Sequence, residues 1–406
     1  MAIAVGVSKQ LVFKKETTWG TQAAPTGPNG QALRRVTSDL GLKKATYRSN
    51  EIRPDLQISD FRHGARQVAG TIKGEMSPGT YSLFMASLCR KDFAVVSPMA
   101  TLGNITVGAA VAGVYPITRT VGSWVTDGMR IGMVFRITGA GLVAATTAKN
   151  LFVVSMTATI LQVVVLNGTA IGPDTAVATC TATVVGKVTY APTTGFTNDS
   201  YTIEHWFSDI TVSHQYIRCR ADNASFSLPP TGMATNDFAF QGKDRVRGVA
   251  QYFTSPLAAT TAGVLASVNG VLMAAGAPVA IITGMQFTLD TNRTVGQVVG
   301  ANVTPDVFGG SIEAKGTFSA YLQDDSFQAL LDNETEFTMA IALTTDNTAT
   351  ADFISYTFPR CKVGSADIGD GQIGLTQSLS FQALFNGAQT VVGTEKTTIQ
   401  INDSLA

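Results

Sequence analysis

The chain matches itself. Slid by 246 positions, it places Gly64 on Gly310, Gly70 on Gly316, Ile72 on Phe318, Tyr81 on Phe327, Phe84 on Leu330, Met85 on Leu331 and Ala94 on Ala340, without gaps. Small or apolar residues alternate at Val68, Gly70, Ile72, Gly74 and Met76, and again at Ala314, Gly316, Phe318, Ala320 and Leu322. A period of two belongs to a strand with one buried face, so two β units share one plan. A short helix is expected after each strand. In the first copy Ser77 is expected to cap it, Pro78 suits the opening turn, and Tyr81, Phe84, Met85 and Leu88 recur at helical spacing before Arg90-Lys91. In the second, Asp324-Asp325-Ser326 opens a helix with Phe327, Leu330 and Leu331 on one face and Asn333 as its stop.

Farther along the offset changes. "RCR" at 218–220 matches "RCK" at 360–362, and "FQ" at 240–241 matches "FQ" at 381–382, so the offset falls to about 142. The difference, 246 minus 142, is about 104 residues, which the first copy holds as an insert. Residues 97–194 fit it: few charges, much Val, Thr, Ala and Gly, and short β runs such as "MVFRITG" and "ILQVVVLNGT" between turn residues. They read as a small β-barrel or sandwich in which Trp124 plugs the core and Asp127-Gly128 turns. The expected organisation is a first unit of residues 1–96 and 195–256, the inserted module 97–194, and a second unit 257–406.

Composition agrees with a mainly β chain: 39 glycines accompany abundant Val, Thr and Ala, and 406 residues exceed one average core. The net charge is zero, so the chain as a whole offers no basic field for nucleic acid and no polybasic membrane anchor. Its first residues lack the pattern of a signal peptide, which makes folding in a cytoplasm the expectation. Cys89, Cys180, Cys219 and Cys361 lie far apart without a CxxC spacing and read as buried free thiols. The apolar run 262–285 is broken by Asn269, Pro278 and glycines, and reads as a hairpin rather than a membrane span.

Chemistry is sparse. His63, His205 and His214 stand in no metal-ligand spacing, and neither a P-loop nor a GxSxG motif occurs. Glu204 and His205 could be imagined as an acid and base, but neighbours on a strand point to opposite faces, and they read as solvated strand residues. No catalytic constellation, metal site or cofactor site is expected.

The distribution of charge carries more than its total. Residues 1–95 hold 14 Lys or Arg against 7 Asp or Glu, and residues 282–406 hold 5 against 14, about +7 and −9. Opposite potentials would let copy one of a subunit sit beside copy two of its neighbour. The stretch "NEIRPDLQISDFRHG" concentrates Glu51, Arg53, Asp55, Asp60, Arg62 and His63 among Ile52, Leu56, Ile58 and Phe61. That mixture suits a long hairpin loop docking on protein.

"LVFKKETTWGT", then "EIRPDLQISDFRHGARQVAGTIKGEM", then the short helix resemble the tail tube proteins of long-tailed bacteriophages. The resemblance is most specific over the first ninety or so residues. It implies two tandem β-sandwich or barrel domains, each with one flanking helix, whose subunits form rings that stack into a hollow tail tube. DNA would pass through without specific binding, and other phage tail proteins would be partners. The protein would be assembled in the host cytoplasm, end in the virion tail, and have no membrane partner. Carried over, Glu51, Arg53, Asp55, Asp60 and Arg62 lie on an inter-ring loop, and Lys14, Lys15, Glu16 and Trp19 on an N-terminal arm of about residues 1–30. The equivalent second-copy loop, "TNRTVGQVVGANVTPDVFGG", has lost nearly all those charges, so the two cannot make identical contacts. Two copies per chain would close with three subunits the ring that six single-domain subunits make. The competing class is a β-rich surface adhesin or carbohydrate-binding protein.

Overall fold

The computed structural model describes residues 3–19, 21–27, 30–279, 281–370 and 374–406. Eight antiparallel strands form one continuous sheet in the order Gly41–Arg48, Phe61–Glu75, Thr235–Gly242, Val212–Leu228, Ile282–Asp290, Glu313–Tyr321, Thr376–Ala383 and Phe353–Ile368. The first four belong to the first copy and the last four to the second, in the same order. The copies meet where Asn223–Leu228 runs antiparallel to Met285–Asp290, with Phe226 opposite Phe287.

The repeat extends to irregularities. The register slips between Ala221 and Asn223 in one long strand and between Val363 and Ser365 in the other, positions 142 residues apart in both cases. Each slip turns a long strand from the eight-stranded sheet into a second layer. There the first copy pairs Lys9–Lys15 with Tyr201–Phe207 and Val212–Leu228 with Asp244–Gly248. The second copy pairs Gly270–Ala274 with Phe337–Thr344, and Phe353–Ile368 with Gln400–Asp403.

Between the layers lies one core spanning both copies. Aromatic rings run through it. Phe84 lies 4.7 Å from Phe13 and 4.9 Å from Phe240, Phe226 stacks on Phe287 at 4.7 Å, and Phe358 meets Phe381 at 5.5 Å. Gly70 and Gly316 are required by close approach: a Cβ on Gly70 would lie 2.5 Å from Leu40 Cα, and one on Gly316 would lie 2.4 Å from the Gln286 carbonyl. Equivalent glycines thus let equivalent strands approach.

The helices are α1, Ser82–Cys89, and α2, Ser326–Asp332. Ser77 does not cap α1: its hydroxyl bonds Thr80, and the helix opens at Tyr81 without a side-chain cap. The Asp403 carboxylate, from the last strand of the second copy, instead accepts from Gly79 N at 3.0 Å and Ser82 Oγ at 2.7 Å. Asp324 accepts from Ser326 N at 2.9 Å and Asn333 ends α2, as the sequence suggests. The run 262–285 does turn back, but only as Gly270–Ala274 against Ala277–Pro278; Ile282–Asp290 then leaves for the eight-stranded sheet.

A separate seven-stranded sheet runs from Ile105–Val107 to Thr181–Val184 around its own core. Trp124 is buried there and donates to the Thr159 carbonyl at 3.1 Å, with the Arg119 guanidinium 4.8 Å from its ring. Although it branches from the first copy, this sheet packs on the second: Val134, Phe152, Val154 and Leu166 cluster with Met273, Ala340, Ala342 and Phe353. The next strand, Lys187–Tyr190, pairs with Gln400–Asp403.

Candidate self-association surfaces

Residues 49–60 join Gly41–Arg48 to Phe61–Glu75 as an exposed loop. Its charges partner one another. Arg53 donates to Asp55 at 2.8 Å, Arg62 donates to Asp60 at 2.7 Å, and Ser59 Oγ donates to Glu51 at 2.8 Å. The guanidiniums hold the Asp55 and Asp60 carboxyls below the ordinary carboxylate range. Exposed pairs like these add little to stability, but they fix a shape. Ile52 and Leu56 are left in solvent, 101% and 95% exposed, with Leu56 in the left-handed region at φ 57°.

The residues expected on an N-terminal arm make contacts within the subunit. Lys14 and Lys15 lie in a strand paired to Tyr201–Phe207; Lys14 donates to the carbonyls of Ala24 and Thr26, and Lys15 contacts Asp199 at 2.8 Å. Buried Glu16 accepts from Ser200, Thr202 and the Arg218 amide. Trp19 stacks under the Arg220 guanidinium at 3.7 Å. The second-copy loop folds back: Thr294–Val295 pairs with Val307–Phe308, Asp306 accepts from Arg220 at 2.6 Å, and Asn302 O accepts from Arg66 N at 2.9 Å.

The eight-stranded sheet has two further free surfaces. Among the described residues, its outermost strands have no strand paired to their outer edges at residues 37–43 and 364–368, although Gln328 Nε2 donates to the Ala366 carbonyl at 3.1 Å. The face away from the core carries Ser225, Ser227, Thr288, Thr317, Ser380 and Gln382 around an open groove of about 510 Å³ that is also lined by Phe226, Phe287, Phe381 and Lys315. Lysines on that face stand beside acids, Lys73 with Asp237 at 2.8 Å and Lys315 with Glu313 at 3.6 Å.

Glu204 and His205 are not solvated. They point to opposite sides, both buried: Glu204 accepts from Ser213 Oγ and the amides of Tyr252 and Phe253, whereas His205 Nε2 shares a 3.0 Å hydrogen bond with Ser38 Oγ. Both sit in the fold as ties between segments. Burial, reinforced by Lys9, Arg35 and His214, lowers the His205 pKa from 6.5 to about 2. The folded subunit therefore refuses a proton that the unfolded chain accepts. Stability from this site is complete above pH 6.5 and falls as the pH drops below it, by about 1.4 kcal/mol at pH 5.5. Melting of His205→Gln should show correspondingly less acid sensitivity between pH 7.5 and 5.5; parallel curves for both proteins would contradict this. Among the described residues no cluster of His, Cys, Asp or Glu could hold a metal, and no helix is long and apolar enough to cross a membrane.

The described residues form a duplicated, mainly β structure with open sheet edges and a projecting loop. The family model described as phage tail tube protein matches residues 6–383, and the chain belongs to that family, the structural proteins of the phage tail. No curated protein matches the chain. Among solved structures, it is similar to a chain in the 6-fold symmetrised cryo-EM structure of the anti-feeding prophage baseplate, at 10% identity and a TM-score of 0.24, covering 34% of this chain and 93% of that one.

Proposed function

We propose that three copies of the chain close a ring, and that rings stack into a hollow tube through which DNA passes. The junction between the two copies within one chain carries this reading, because it is a template for the junction between chains. Residues 223–228 correspond to 365–370 by the shift of 142. The first strand of each copy's four, placed by Ser38 opposite Ile72 in one and Met285 opposite Phe318 in the other, corresponds by 247. Applying both shifts to Asn223↔Asp290, Ala224↔Leu289 and Phe226↔Phe287 puts Ser365 opposite Lys43, Ala366 opposite Leu42 and Ile368 opposite Leu40.

Those residues occupy the two unpaired edges. Ile368 is half-exposed and Leu40 buried, so the pairing would cover an apolar side chain where the internal junction stacks Phe226 on Phe287. Lys43 and Asp367 would be diagonal neighbours on the polar face, in keeping with the basic first copy and acidic second. Three chains of eight strands make 24, and at about 4.8 Å per strand the closed sheet is roughly 37 Å across before tilt widens it. Its lining is the face away from the core. Few lysines, standing beside acids, give little of the multi-phosphate contact that would hold DNA.

Negative-stain microscopy of the purified protein tests the proposal. Stacked rings are expected; dispersed monomers at all concentrations would overturn it and favour the adhesin class.

A further inference from the structure

The two helices hold like positions but differ in cover. On α1 Ser82, Met85 and Ala86 are buried, and the second layer of copy two helps to bury them: Asp403 accepts from Ser82 Oγ at 2.7 Å, and the Tyr356 hydroxyl donates to Met85 Sδ at 3.5 Å. The corresponding residues of α2, by the shift of 246, are Gln328 and Leu331, only half-buried, and Asp332, exposed. The strands that would cover them follow from the other shift. Tyr201 opposite Cys219 and Ile203 opposite Tyr216 recur as Phe337 opposite Cys361 and Met339 opposite Phe358, so the shift of 142 holds along the whole long strand. Tyr356 opposite Ile401 then matches His214 opposite Arg247, and Asp403 matches Val249, one residue past its strand. Opposite residues of an antiparallel pair share a face. Arg247 therefore lies on the face that, in copy two, turns Tyr356 toward α1.

Resting on the three-chain ring, we infer that α2 of each chain is covered by Asp244–Gly248 of the next chain, whose Arg247 pairs with Asp325 and Asp332. Seven residues make about two helical turns, so Asp325, Gln328 and Asp332 fall on one side of α2. It is the side that Ser82 and Ala86 occupy on α1. The charges are specific to this contact. Inside the chain the helix carries Gly79 and Ala86 where α2 carries Asp325 and Asp332, and the covering strand carries Ile401 where the first copy carries Arg247. Both sides of an uncharged contact thus become charged, with opposite signs, where the contact would join two chains, which selects this chain's own first copy as the occupant. Arg247, Asp325 and Asp332 are exposed and, among the described residues, form no ion pair within the chain. Val249, 87% exposed in the single chain, takes beside Gln328 the place that Asp403 holds beside Ser82.

A charge exchange in the full-length chain tests this. Arg247→Glu alone, and Asp325→Arg/Asp332→Arg alone, should each lower the yield of rings at low salt at least tenfold while leaving the melting temperature of the subunit unchanged. The chain carrying all three substitutions should recover rings to within about twofold of the unsubstituted protein, because every junction then holds the same pairs with the signs reversed. Rings of normal abundance from Arg247→Glu, or a combined chain no better than either parent, would overturn the inference. A second measurement does not depend on charge. The four native thiols are buried, so mild oxidation of assembled Val249→Cys/Gln328→Cys should link chains into dimers and closed trimers, at least tenfold above Gln328→Cys alone and lost on reduction. Rings that form without these links would also overturn the inference while leaving the ring reading intact. Absence of rings from the unsubstituted protein would fail the ring reading itself, and this inference with it.

Discussion

Ile368→Glu is expected to yield a folded, soluble subunit that no longer closes rings. In the isolated chain Ile368 is 49% exposed at an unpaired edge, and a substitution there changes stability by about 0.5 kcal/mol or less. In the proposed ring the same position faces Leu40 of the next subunit, and a carboxylate would be buried without a partner. A loss of about 3 kcal/mol per junction weakens each about a hundredfold, and every ring repeats the loss. Sedimentation and thermal melting of the variant decide it. Rings of normal abundance would contradict the edge pairing, whereas a large drop in melting temperature would show that Ile368 serves the subunit core.

Phe84→Ala should be the most damaging substitution within a subunit, by about 3–5 kcal/mol. Phe84 is fully buried on α1 and contacts the rings of Phe13, Tyr81, Tyr201, Phe238 and Phe240. Its repeat partner Leu330 on α2 is only partly buried, and Leu330→Ala should cost clearly less, about 1–2 kcal/mol. Denaturant unfolding of both variants measures the difference. Equal costs would mean that the copies have the same internal architecture around their helices, contrary to the structure.

The repeat was legible because a strand with one buried face must alternate, and because Gly70 and Gly316 answer the same close backbone approach. The helix positions followed for a similar reason, since Phe84 and Phe327 had to face a sheet. At the start of α1 Ser77 has the right chemistry, but Asp403, more than three hundred residues away, occupies that helix end. Local pattern cannot register such a partner. The same limit hid the junction of Phe226 with Phe287 and the seating of Phe152 and Val154 on the second copy, because apolar alternation shows that a face is buried without showing against what. At Lys14 and Lys15 the sequence offers an arm, and only pairing with Tyr201–Phe207 reveals a strand, while Glu16 and Trp19 beyond it are held by Ser200, Thr202 and Arg220. The loop's charges were visible; their pairing, which leaves Ile52 and Leu56 outermost, required geometry.

Counting chains in a ring tests the central claim most directly. Native mass spectrometry of rings released from tubes should give three chains of 42.6 kDa, about 128 kDa by multiplication, because each chain supplies eight of the 24 strands. Six chains per ring, about 256 kDa by the same multiplication, would contradict the account by showing that the internal junction is not the template for ring closure.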